Sequence, residues 1–136
     1  MSEEIIFDGS HQIMGRFASK VAGELLDGNE VTVVNANELV ITGKPRNIID
    51  EYLKRKRRGD PHHGPYYPKE PKSIFRRAVR GMLPYKKSKG KKAFRRLKVF
   101  NNNPEDKKGE RIAKDRNEVT CQHISLGDLS KRLKGE

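Results

Sequence analysis

The order of apolar patterns along this chain predicts an α/β fold with parallel strands at its centre. Three stretches carry that prediction. Ile5-Ile6-Phe7 reads as a short strand; Phe17, Val21 and Leu25 recur at helical spacing; and Val31-Thr32-Val33-Val34 is a β-branched run of the kind buried in a sheet. Strand, helix and strand within about 30 residues make a parallel βαβ unit the natural arrangement.

The remaining elements follow in chain order. Gly9 closes the first strand, and the first helix runs from about Gly15 to Leu26. Its Ala18, Ala22 and Gly23 are small enough to let it lie close on a sheet, and Asp27-Gly28-Asn29 ends it with turn chemistry. Val40-Ile41-Thr42 adds a short extended piece. A second helix from Lys44 to Arg58 turns Ile48, Ile49, Tyr52 and Leu53 inward, and its basic end suits a helix C-terminus. Gly59 stops it. From Gly59 to Pro71 the chain carries Pro61, Pro65, Pro68 and Pro71 and reads as an extended loop.

Ser73 is placed to cap a third helix, Ile74 to Leu83. Ile74, Phe75, Ala78, Val79, Met82 and Leu83 fall on one half of its wheel, and Arg76, Arg77 and Arg80 on the other. Pro84 ends it. Tyr85 to Lys92 reads as a basic loop that turns into a short helix around Ala93 to Arg96. Leu97-Lys98-Val99-Phe100 alternates as a third main strand. Asn101 to Asn117 is loop-like, Val119 to Leu126 holds a last strand, and Gly127 to Leu133 forms a C-terminal helix.

The 136 residues suit one domain over 1–136, and a 33% hydrophobic content without Trp gives it a modest core. Lys and Arg number 30 against 18 Asp and Glu, a net charge of +12 that favours polyanionic partners. The charge is not spread evenly. Residues 1–43 hold 2 basic and 7 acidic residues, whereas residues 69–98 hold 13 basic and 1 acidic. That segment alone matches the net charge of the chain. Lys86, Lys87, Lys89, Lys91 and Lys92 have no acid among them, so Tyr85 to Lys92, like the Gly59 to Pro71 loop, is expected to order only against a polyanion.

Cys121 stands alone, so no internal disulfide is possible, which fits a reducing compartment. Met1-Ser2-Glu3-Glu4 has no basic start or apolar run of a signal peptide, and no stretch is long enough to span a bilayer.

Several motifs invite other chemistry. Gly9 and Gly15 flank a strand-to-helix turn, but the G-x-G-x-x-G spacing of a dinucleotide site is missing. Thr42-Gly43-Lys44 has part of a phosphate-loop motif, with Pro45 where Ser or Thr is needed. Tight turns at helix ends explain both. Asp60, His62 and His63, or Cys121 and His123, offer too few ligands at metal-site spacing. No nucleophile has an evident base and orienting partner. The expectation is a binding protein and not an enzyme, with no cofactor, no metal and no small-molecule substrate.

The residues expected to face RNA are Lys44, Arg46, Lys54, Arg55, Lys56, Arg57, Arg58, His62, His63, Tyr66, Arg76, Arg77, Arg80, Lys86, Lys87, Lys89, Lys91, Lys92, Arg95 and Arg96, a basic segment of about 44–98. Tyr66, Tyr67 and Tyr85 could stack on bases or pack against the fold, whereas Phe75 lies on an apolar face and belongs to the core.

Ordered segments also carry a family likeness. Ile13-Met14-Gly15-Arg16-Phe17-Ala18-Ser19, Val33-Val34-Asn35-Ala36, Ile41-Thr42-Gly43, Gly64-Pro65-Tyr66 and Ala78-Val79-Arg80-Gly81-Met82-Leu83-Pro84 precede Gly90, Ala93 and Arg96-Leu97-Lys98-Val99-Phe100. Together they resemble the ribosomal protein L13 (uL13) family over about Phe7 to Phe100. Arg-Gly-Met-Leu-Pro-Tyr-Lys-Lys resembles its archaeal and eukaryotic branch, and the short tail favours the archaeal side. The resemblance implies a three-layer α/β/α fold around a four-stranded parallel sheet. It further implies a cytoplasmic constituent of the large ribosomal subunit that binds large-subunit rRNA, touches neighbouring ribosomal proteins and supports assembly and translation. An off-ribosome regulatory RNA-binding protein is the alternative.

Overall fold

The computed structural model describes residues 4–10, 12–57, 70–103 and 122–134. The expected βαβ unit is present. β1 (Glu4–Asp8) leads through α1 (Met14–Leu26) to β2 (Glu30–Val34), and β1 and β2 pair in parallel with Ile5 opposite Val31 and Phe7 opposite Val33. β4 (Leu97–Val99) pairs in parallel on the other side of β2, giving the order β1-β2-β4. The central position of β2 explains its composition: Val31, Thr32, Val33 and Val34 are all buried.

The sheet differs from the implied four-stranded one. Among the described residues the parallel sheet has three strands, and β3 (Val40–Thr42) pairs antiparallel with β5 (His123–Ser125) in a separate two-stranded ribbon. A single parallel bridge between Ile13 and Val40 ties that ribbon to the chain just after β1. The last strand is shorter than Val119 to Leu126; residues 119–121 lie outside the described residues, and Leu126 already opens α5 (Leu126–Lys134).

Helix α1 packs its buried Phe17, Ala18, Val21, Ala22 and Leu25 inward. Gly23 is exposed, so close approach rests on the two alanines and not on that glycine. Phe17 meets Phe7 edge-on at 5.9 Å between ring centroids and Phe75 at 5.6 Å, so one ring joins β1, α1 and α3 (Pro71–Met82). α2 (Pro45–Arg57) covers the ribbon side with buried Ile48 and Tyr52, Ile49 and Leu53 being half-buried. α5 closes the core with Leu126, Leu129 and Leu133, each fully buried.

α3 starts three residues before the expected helix. Glu70 is its N-cap and Pro71 its first residue, so Ser73 lies inside the first turn and caps nothing. Proline suits that position because its missing N–H has no intrahelical partner there. The Lys72 amide, an otherwise orphaned donor, bonds Asn101 Oδ1 at 2.8 Å, so the cap comes from 29 residues away. Lys134 bonds the Glu70 carboxylate and holds it below the usual carboxylate range, with Asn101 and Lys72 adding to the effect. Met82 was expected inside but is 45% exposed. The helix ends there, and the extended Leu83 fills the core in its place.

The glycine-rich turns are structural. Gly9 abuts the Asn35 carbonyl and Leu39, where an added Cβ would come within 3.2 Å. Asp8 Oδ1 accepts bonds from the Ser10 amide, the Ser10 hydroxyl and Asn35 Nδ2, which ties the ends of β1 and β2 together. Gly43 takes φ +128°, a value suited to glycine, where β3 turns into α2.

Candidate nucleic-acid interface

The densest basic stretch folds as two helices joined by a tight turn. In α3 the pattern of Ile74, Phe75 and Val79 buried leaves Arg77 exposed and Arg76 and Arg80 half-buried. Beyond Pro84, α4 (Ser88–Arg95) begins five residues before the expected short helix around Ala93 to Arg96 and takes in Ser88 to Lys92 of the expected basic loop. Its core-facing residues are Gly90 and Ala93, with Phe94 half-buried beside them. The other side carries Lys89, Lys91, Lys92 and Arg95, all exposed, and Lys86 and Lys87 lie exposed just before it. No acidic residue stands in the first turn of α4, where one would complement the helix dipole.

Aromatic rings missed as a group by sequence reading hold this pair of helices together. The Arg76 guanidinium lies 4.9 Å from the centre of the Phe94 ring, and Arg80 lies 4.1 Å from that of Tyr85. Tyr85 and Phe94 meet edge-on at 5.7 Å. The result is a chain Arg76–Phe94–Tyr85–Arg80 linking α3 to α4. Each cation–π contact contributes roughly 0.5–1 kcal/mol at exposed sites and more when desolvated. Stacking uses the flat face of a guanidinium and leaves its edge N–H donors for a phosphate. Tyr85 is thereby a support for Arg80 more than a free platform for a base. The signal that could have found Phe94 is its place one residue after buried Ala93 in an otherwise basic run.

Gly90 is the steric key to α4. A Cβ there would lie 2.0 Å from the Pro84 carbonyl oxygen, which is backbone and cannot rotate away. Gly90→Ala is therefore expected to push α4 off the Pro84–Tyr85 turn. A loss of about 1–3 kcal/mol is expected from a denaturant titration, as for other overpacked sites. An unchanged midpoint would show that α4 is not held by this contact.

The other sequence-predicted residues divide clearly. Lys44, Arg46 and Lys54 are exposed on or beside α2. Arg55 is engaged within the helix, paired with Glu51 and lying 5.0 Å from the Tyr52 ring centre. Arg96 is half-buried and donates to the Leu25 carbonyl at 2.9 Å, an oxygen at the end of α1 that also accepts the Gly28 amide. Arg58, His62, His63 and Tyr66 lie outside the described residues, as do Asp60, Tyr67 and Cys121, and so do the side chains of Lys56 and Arg57. His123 sits exposed on β5. No described helix is long and apolar enough to cross a membrane.

Comparison with known proteins agrees with the likeness in the sequence. A family model described as ribosomal protein L13 matches residues 2–106. The large ribosomal subunit protein uL13 of Thermoplasma acidophilum is 44% identical over 133 residues, covering 96% of this chain and 98% of its own length. The protein of the same name from Archaeoglobus fulgidus is 40% identical, covering 94% of this chain and 86% of its own. That of Haloarcula marismortui is 43% identical, covering 96% and 90%. All three relatives are archaeal, within the archaeal and eukaryotic branch that the Arg-Gly-Met-Leu-Pro-Tyr-Lys-Lys segment resembles. With most of its length matched by the family model and nearly all of it aligned to these relatives, this chain belongs to the ribosomal protein L13 family.

Proposed function

We propose that this chain, as one domain over 1–136, is a structural constituent of the large ribosomal subunit that binds large-subunit rRNA through its basic segment of about 44–98. The observation that carries the reading is the α3–α4 surface. Lys86, Lys87, Lys89, Lys91, Lys92, Arg77 and Arg95 are all exposed on it, while the same two helices send Ile74, Phe75, Val79 and Ala93 into the core. A one-signed surface of this density repels itself in water and is neutralised by a phosphate backbone. Lys44, Arg46 and Lys54 extend the contact from α2. His62, His63 and Tyr66, in the segment between α2 and α3, are proposed RNA contacts on the sequence alone. The family is one of ribosomal structural components and not of enzymes. Contacts with neighbouring large-subunit proteins, residence on cytoplasmic ribosomes and support of assembly go with this role.

Sedimentation of a cell extract tests it. The protein is expected to co-migrate with large subunits and to stay with them through a moderate salt wash. Recovery with light RNA–protein particles alone would favour an off-ribosome regulatory role instead.

A further inference from the structure

Resting on the RNA-binding reading, we infer that the hollow between the end of α1 and the start of α4 seats a single phosphate of the RNA backbone, gripped jointly by Lys89 and Lys92 above Arg96. The hollow measures about 340 Å³. Leu26, Asp27 and Gly28 form one wall, and Ser88, Lys89, Lys92, Ala93 and Arg96 the other. Lys89 and Lys92 are three residues apart and Arg96 four further on, so the helical repeat brings all three cations to one stripe.

Three features select the ligand. First, like charges at this spacing repel one another, and neither lysine has an ion-pair partner among the described residues. Among the described lining residues Asp27 is the one carboxylate, so they keep an excess of positive charge. Second, no aromatic ring among the described residues lines the hollow, so they offer no stacking surface of the kind a base would need. A backbone phosphate needs only cations and donors, and Ser88 adds a hydroxyl. Third, the volume lies near the lower end of the roughly 300–1,000 Å³ of small-ligand pockets, enough for one backbone unit. Arg96 is fixed by its bond to the Leu25 carbonyl, so the floor of the seat is set before RNA arrives.

A shared phosphate has a countable consequence. Each phosphate neutralised contributes about 0.7–0.9 to the slope of log affinity against log salt. Lys89→Gln/Lys92→Gln together should therefore make the slope shallower by about 0.7–0.9, one phosphate and not two. In amide NMR spectra of the whole protein, a large-subunit rRNA fragment should shift Gly28 and Ser88, and the double variant should lose those shifts. Lys86→Gln/Lys87→Gln should keep them. The inference is overturned if rRNA still binds while the double variant leaves slope and shifts unchanged. It is also overturned if the slope falls by about 1.4–1.8 with no response at Gly28 and Ser88, which marks two separate contacts. Absence of rRNA binding by the unaltered protein would instead remove the functional reading beneath it.

Discussion

Val79→Asp is expected to destabilise the protein by about 4 kcal/mol or more, and Arg77→Gln, two positions earlier on the same helix, by no more than about 0.5 kcal/mol. Val79 is fully buried in the shared core, on the face of α3 that carries Ile74 and Phe75. Replacing it removes a transfer gain of roughly 1.5–3 kcal/mol. It also places a carboxyl among the buried apolar side chains of the core, so the group must be protonated or forced out to water. Domains of this size are stable by only about 5–15 kcal/mol, so the variant should lose a large share of the total. Arg77 is exposed and its side chain is not part of the core. Arg76 and Arg80 fall between these extremes, since each rests on an aromatic ring of the α4 region. Their replacement should loosen α4 as well as weaken RNA binding. Chemical denaturation of the variants measures all of this, and a harmless Val79→Asp would mean that the helix faces are assigned the wrong way round.

The second large effect concerns RNA. Replacing Lys86, Lys87, Lys89, Lys91 and Lys92 by Gln should weaken binding to large-subunit rRNA at physiological salt by on the order of a hundredfold or more, through lost counterion release. The fold should be unharmed or slightly steadier, because five mutually repelling charges leave an exposed surface. Circular dichroism and thermal unfolding check the second half, and filter binding the first. Equal affinity for variant and parent would place the RNA elsewhere on the molecule.

The βαβ unit was legible because its signals are local. Val31 to Val34 form a continuous β-branched run, and Phe17, Val21 and Leu25 mark one helical face; both sit where the pattern puts them. α4 was not legible. Lys89, Lys91 and Lys92 give no apolar stripe, and Gly90 is a poor helix former, so the segment reads as a loop. What overrides that preference is non-local. Gly90 is needed for backbone contact with Pro84, and Phe94 reaches back to Arg76 and Tyr85. The start of α3 was hidden in the same way. Its cap is Asn101, far along the chain, and Pro71 belongs to the helix despite ending a proline-rich stretch. The interface was legible in its charge but not in its division of labour. Composition marks Arg96 and Lys92 alike as basic, whereas the fold ties Arg96 to the Leu25 carbonyl and leaves Lys92 exposed.

The most direct test of the proposed role is the affinity of the purified protein for large-subunit rRNA measured across a range of salt. Six to ten phosphate contacts would lose about 10³–10⁵ in affinity between 50 and 200 mM salt. The exposed cations of the α3–α4 surface, with Lys44, Arg46 and Lys54 beside them, supply contacts enough to reach that range. A fall of about a thousandfold or more is the expected result. An affinity that barely changes over the same interval would contradict an interface built on phosphate neutralisation.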